Sequence, residues 1–173
     1  CLSLAAKDFQ VLASFLDIRL VAGDEAVFAE LREGLETRVL AKKKAPFLAW
    51  LKEQFALRLA KHGDSSTLLE PHLKEGIGGL RDYHRILWLE KVNGPCPLHM
   101  PHDMFLNPDK PAPGALTREE RRTLAEHSRF LHQVRNQTHA VSGRKNDVLY
   151  LDLQAQVADG VAQAPGVAGA KRS

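Results

Sequence analysis

Thr117-Arg118-Glu119-Glu120 opens the stretch TREERRTLAEHSRFLHQVRNQTHAV, residues 117–141, and this stretch decides the fold class. Thr followed three residues later by Glu is a capping box. Hydroxyl and carboxylate each take a backbone N–H that the first helical turn leaves without a partner. Behind it, Leu124, Leu131, Val134, Thr138 and Val141 recur at helical spacing and predict a buried stripe. The longest helix of the chain is expected here.

Working outward, Leu80, His84, Leu87, Trp88 and Lys91 predict a helix from Leu80 to about Val92. Between the two, Asn93 to Pro113 is rich in proline and reads as an irregular connection, with Met104-Phe105-Leu106 as one anchoring turn. Towards the N-terminus, a helix is expected from Ala45-Pro46 to Gly63, with Phe47, Leu48, Leu51, Phe55, Leu59 and Ala60 on one side. Lys42-Lys43-Lys44 before it reads as a solvated approach. Asp24 is placed as N-cap of a helix to about Val39, with Val27, Phe28, Leu31 and Leu35 as its apolar face. Leu2 to Asp8 reads as a short helix. In Val11–Val21, the alternation of Phe15, Asp17 and Arg19 with Leu16, Ile18 and Leu20 favours a strand over the last half. A short extended piece is expected around Thr67–Leu73, a last helix over Asp152–Ala162, and a frayed tail beyond. The fold class is mainly α, with a short strand element at the start.

The chain has 173 residues, 24 Lys or Arg against 21 Asp or Glu, and 44% apolar residues. That suits one ordinary globular domain and excludes wholesale disorder, collagen and a disulfide scaffold. A net charge of +3 is weak support for nucleic-acid binding, and no partner of that kind is expected. Cys1 and Cys96 make no disulfide framework, which fits a reducing compartment. No apolar run approaches the ~20 residues that span a bilayer, so no membrane partner is expected either. The opening Cys1-Leu2-Ser3 reads as a piece of something longer.

Chemistry concentrates in Leu69-Glu70-Pro71-His72-Leu73-Lys74-Glu75-Gly76-Ile77-Gly78-Gly79-Leu80-Arg81-Asp82. Three glycines in four positions let backbone approach a ligand, and the helix that follows offers free N–H groups to an anion. Lys74 and Arg81 bracket the loop with a point charge and a planar fork. The plainer reading is a tight turn that permits helix packing, with Arg81 securing it through a carboxylate such as Glu70. Arg135 and His139, four apart on the long helix, share a face that Arg144 continues; ordinary surface polarity is the alternative. His99, His102 and Asp103 lie in the proline-rich connection and read as exposed loop. His127, His132 and His139 form no i, i+4 ligand pair. No carboxylates cluster as a two-metal site requires, so independent phosphoryl chemistry is not expected of this chain.

Three blocks resemble the bacterial P-II uridylyltransferase/uridylyl-removing enzymes. Ser14 to Asp24 is similar to their "LLdaRllaGD" segment. Leu69-Glu70-Pro71, Lys74, Gly78-Gly79-Leu80-Arg81-Asp82 and Trp88 resemble "LEPn-K--pGGLRD----W". Phe130 to Asn136, His139, Arg144, Asp147, Leu149, Gln154 and Val157-Ala158 resemble the closing "fL--vRn-lH---gr--d-L--d-Q--vA". The resemblance covers nearly all of Cys1–Ala158; Ile77 stands where Pro is usual, and His72 where Asn or Asp is common.

This resemblance implies an up-and-down helical bundle of the nucleotidyltransferase substrate-binding type, one wall of a nucleotide cleft. Residues 1–24 would end the nucleotidyltransferase core, 25–162 would form the helical substrate-binding domain, and 163–173 a frayed tail. It implies a cytoplasmic enzyme that transfers UMP from UTP to a P-II signalling protein with Mg²⁺, and flanking nucleotidyltransferase, HD and ACT domains as partners. The implied nucleotide-binding residues are Lys74, Gly78, Gly79, Arg81, Arg135 and His139. No catalytic or metal residue is assigned here, and the isolated segment is expected to be inactive. The rival reading is an interaction module that docks P-II or another domain without touching nucleotide.

Overall fold

The computed structural model describes residues 1–62, 68–94, 107 and 114–163. They are mainly helical: α1 Leu2–Ala5, α2 Phe9–Phe15, α3 Glu25–Gly34, a π-helical stretch Leu35–Leu40, α4 Ala41–His62, α5 Leu80–Asn93, α6 Arg118–Ser142 and α7 Leu151–Ala162. Among the described residues there is no strand, only an isolated antiparallel bridge between His72 and Val148. No helix among them is long and apolar enough to cross a membrane. The chain divides into two compact units, one from residues 1–57 and 84–124, the other from 58–83 and 125–173.

The first unit is built around Leu12, Leu16, Leu35, Val39, Phe47 and Leu51. Each such side chain contributes roughly 1.5–3 kcal/mol by leaving water. Phe47 packs its ring against Phe9 and Trp50 at centroid distances of 5.8 and 5.6 Å. Asp8 and Asp24 cap α2 and α3 with their carboxylates, each accepting two backbone N–H groups. The strand expected at Leu16–Leu20 is absent. Phe15 ends α2 and Leu16 closes that helix with its N–H on Leu12 O. The alternation was the last turn of a helix followed by an anchored loop. That anchor is Asp17, whose carboxylate accepts from Trp88 Nε1 and Lys91 Nζ, each at 2.9 Å; Lys91 also donates to Leu16 O at 2.6 Å. Lys91, buried to 3% side-chain exposure, is satisfied on both oxygens.

The break expected between Val39 and Ala45 is also absent. α3 continues through the π-helical stretch directly into α4, so Lys42-Lys43-Lys44 are helical and Pro46 lies inside the helix. Gly34 sits where α1 presses: an added Cβ would collide with Leu2. The widened turn begins at that close approach. Val27, expected on the buried face of α3, is exposed, and so are Leu59 and Ala60 of α4. Of the expected faces Leu35, Phe47 and Leu51 are buried, and Val39 joins them.

In the second unit Leu73, Val134, Val157 and Val161 form the buried cluster, with Val141, Leu149 and Leu153 against it. The predicted stripe of α6 is present in part: Val134 and Thr138 are buried, and Thr138 returns its hydroxyl to Val134 O at 2.8 Å. α6 ends at Gly143, whose φ of 65° is the left-handed conformation that stops a helix. Gly160 of α7 leaves room for the Gln137 side chain, which lies where a Cβ would be. Gly63, the anchoring turn Met104–Leu106, His99, His102, Asp103 and the tail beyond Gln163 lie outside the described residues.

Candidate functional site

The second unit places the glycine turn against the segment that follows α6. Leu73 N–H donates to Asp147 O at 2.8 Å, Leu149 N–H donates to Pro71 O at 3.0 Å, and His72 faces Val148 across the bridge. Further out, Leu151 N–H donates to Glu70 Oε1 at 3.1 Å and Gln154 Nε2 to Leu69 O at 2.6 Å. These bonds join two stretches more than seventy positions apart in sequence. They bring the Lys74 turn together with Asp147, and through Asp147 with Arg135 and His139 of α6.

Within the turn, Gly76 N–H reaches back to His72 O, Leu80 N–H to Leu73 O and Arg81 N–H to Lys74 O. Gly78 adopts φ +75° and donates its N–H to Asp82 Oδ2 at 2.9 Å, while Gly79 donates to Gly76 O at 3.0 Å. The free N–H groups expected at the start of α5 are therefore occupied by the turn's own carbonyls and by Asp82. Gly79 is needed for space: a Cβ there would sit 2.8–2.9 Å from the carbonyl oxygens of Leu73, Gly76 and Lys74. What the turn offers outward is side chains.

Arg81 does not reach Glu70. Its Nη2 and Nε lie 3.0 and 3.4 Å from the two oxygens of Glu75, a side-on pair in which both ends are partly exposed. Lys74 Nζ stands 3.9 Å from the same carboxylate. Burial disfavours the charge on Glu75, but the Arg81 hydrogen bond and charge, with Lys74 and Arg58 nearby, hold its carboxyl below the ordinary range. Arg58 is the residue that sequence reading missed. It projects from the last turns of α4, donates Nη1 to Glu75 O at 2.9 Å and to Gly76 O at 3.3 Å, and pairs with Asp82 through Nη2. Its only sequence signal was a basic residue on an otherwise apolar helix side, which is too common to single out.

Across the bridge, Arg135 donates Nε to Asp147 Oδ1 at 2.7 Å, and His139 Nε2 lies 3.3 Å from the same oxygen. Burial works against the Asp147 charge; the Arg135 hydrogen bond and charge, then the His139 bond and the Lys74 charge, outweigh it and lower its pKa. Among the described residues, the Nη edge of Arg135 has no hydrogen-bond partner. The turn and the bridge thus hold Arg58, Lys74, Arg81 and Arg135 beside Glu70, Glu75, Asp82 and Asp147, four cations and four carboxylates. Among the described residues no three His, Cys, Asp or Glu side chains come together as metal ligands.

Comparison with known proteins agrees with these blocks. The sequence pattern of the family described as GlnD PII-uridylyltransferase matches residues 47–171. A bifunctional uridylyltransferase/uridylyl-removing enzyme of Caulobacter vibrioides is 31% identical over 158 residues, 91% of this chain and 16% of its own length. The enzymes of the same name from Ralstonia nicotianae and Cereibacter sphaeroides are 33% and 34% identical, covering 97% and 91% of this chain. This chain spans 16–18% of the length of these curated relatives. No solved structure matches it. With turn, bridge and charged cluster all falling in the matched region, the chain belongs to the GlnD PII-uridylyltransferase family.

Proposed function

We propose that this chain is the helical substrate-binding part of a nucleotidyltransferase that transfers UMP from UTP to a P-II protein, and that its Lys74 turn holds the triphosphate. On this reading residues 1–24 end the nucleotidyltransferase core, 25–162 form the helical wall, and the metal carboxylates come from elsewhere in the parent enzyme. The observation that carries it is the pairing of Pro71–Leu73 with Asp147–Leu149, which gathers Lys74, Arg81 and Arg135 around two carboxylates. Phosphoryl-type transfer is catalysed largely by positioning and charge neutralisation, and the loosely held Lys74 ammonium and the open Nη edge of Arg135 can supply both. Lys74 is the foremost contact, since its ammonium is only loosely held by Glu75. Arg135 follows, with its Nη edge open; His139 orients Asp147; Gly78 and Gly79 shape the turn.

In the full-length enzyme, Lys74→Ala is expected to raise KM for UTP about tenfold with the melting temperature unchanged, the worth of one charge-assisted hydrogen bond. Arg81→Ala is expected to lower the melting temperature as well, because Glu75 then loses its main partner. Unchanged KM in Lys74→Ala overturns the nucleotide contact.

A docking role has its own support. Leu68, Leu69 and Leu151 are more than half exposed, and the Leu69–Gln154 and Glu70–Leu151 bonds bring their backbones together. Normal UTP use with weakened P-II binding in Leu69→Ser would favour that reading.

A further inference from the structure

His72 joins three elements. Its Nδ1 accepts the backbone N–H of Glu75 at 3.1 Å and of Lys74 at 3.3 Å. Its backbone forms the bridge to Val148, and its ring meets that of His62, from the last turn of α4, edge-on at 5.1 Å between centroids. An Nδ1 that accepts hydrogen bonds carries no proton, so the ring is the neutral Nε2–H tautomer. The arrangement is the one an Asn or Asp side chain makes when it caps a turn through the N–H groups two and three residues ahead.

We propose that His72 is a positioning residue for Lys74: the neutral imidazole locks the turn, and a proton on Nδ1 unlocks it. A protonated Nδ1 would aim a donor at two donors, so both bonds would be lost together. The charged and titratable groups around it are His62 from α4, Glu75 and Lys74 on the turn, and Asp147 with its partners Arg135 and His139 across the bridge. Burial first and the His62 charge second lower the pKa of His72, against the opposing pull of Asp147 and Glu75. The folded chain therefore binds this proton less readily than the unfolded chain. Stability from the contact is complete above about pH 7 and is lost as pH falls through about 6.5 towards the lowered folded value. The consequence for UTP, and that alone, rests on the nucleotide reading of Lys74.

The test is urea unfolding of the chain at pH 8 and pH 5.5. The unchanged chain and the His62→Gln variant should lose stability in acid, by up to about tenfold in the folded-to-unfolded ratio, the most that one proton can impose one pH unit below the unfolded value. His72→Asn keeps an acceptor and has no ring to titrate, so it should lack this loss. His72→Ala should be weak at both pH values. Nitrogen chemical shifts of the imidazole at pH 7.5 provide a readout on the unchanged chain, and a protonated Nδ1 there overturns the proposal. So does a His72→Asn chain that loses as much in acid as the original. In the full-length enzyme, KM for UTP should rise more on acidification in the original than in His72→Asn. If the stability arms behave as stated but the two KM profiles coincide, the lock stands and the nucleotide contact of Lys74 falls.

Discussion

Gly78 and Gly79 are adjacent and are glycine for different reasons. Gly78 has open space around it and a φ of +75°, so a side chain would meet strain without collision. Gly79 has three carbonyl oxygens packed where its Cβ would be. Backbone atoms cannot swing aside as a flexible side chain can, so the turn itself must shift. Gly78→Ala is expected to cost about 1 kcal/mol, the usual penalty of a left-handed L-residue. Gly79→Ala should cost more, about 2–3 kcal/mol, as for overpacked sites. Urea midpoints of the two variants check the order, and equal midpoints would contradict the crowding at Gly79. The glycines were legible in the sequence as a special turn, but their division of labour was not. It depends on where the carbonyls of Leu73 and Lys74 fold back, which no local pattern specifies.

At the scale of the element, α6 begins where its sequence says. Glu120 N–H donates to Thr117 Oγ1 at 3.2 Å, and Thr117 N–H donates to Glu120 Oε2 at 2.8 Å, the reciprocal pair of a capping box. The hydrogen bonds from the Thr117 backbone and hydroxyl hold the Glu120 carboxyl below its ordinary pKa. Thr117→Ala should cost about 1 kcal/mol, read as a lower urea midpoint with the slope unchanged. α5 was equally legible, predicted to about Val92 and observed to Asn93. α3 and α4 were not legible as one continuous run, because three lysines and a proline normally mark a break. Burial of Val39 and Phe47 on either side of them outweighs that local preference.

At the scale of the whole molecule, acid stability gathers the charged cluster into one measurement. Glu75 and Asp147 both have pKa values below the ordinary carboxylate range in the folded chain. The unfolded chain therefore takes up their protons first as pH falls. Their contribution is present at neutral pH and is lost on descending through about pH 4, some two units below the window of His72. Unfolding free energy followed from pH 7 to pH 3 should show that second decline. Glu75→Gln with Asp147→Asn should flatten it while costing about 1 kcal/mol per ion pair at pH 7. An unaltered acid limb in the double variant would show that these pairs do not couple to folding.

The sequence by itself determined the mainly helical class, the caps at Asp24 and Thr117, the bounds of α5 and α6, and the family, since each is written in neighbouring residues or in short motifs. Only the tertiary structure decided the rest. It turned Leu16–Leu20 from a strand into a loop anchored by Asp17 on Trp88 and Lys91. It gave Arg81 to Glu75 rather than Glu70, and it recruited Arg58 and His72 to the turn. It also joined the two halves of the charged cluster by pairing Leu73 with Asp147. Arg81–Glu75 and the His72 cap lie within six positions and turn on how the glycine turn folds, but for the Asp17 anchor, the Arg58 contacts and the Leu73–Asp147 pairing the physical reason is one of distance. A cap or a helical stripe is closed by partners within a few residues, whereas an ion pair or a bridge across seventy positions depends on the packing that brings its partners together.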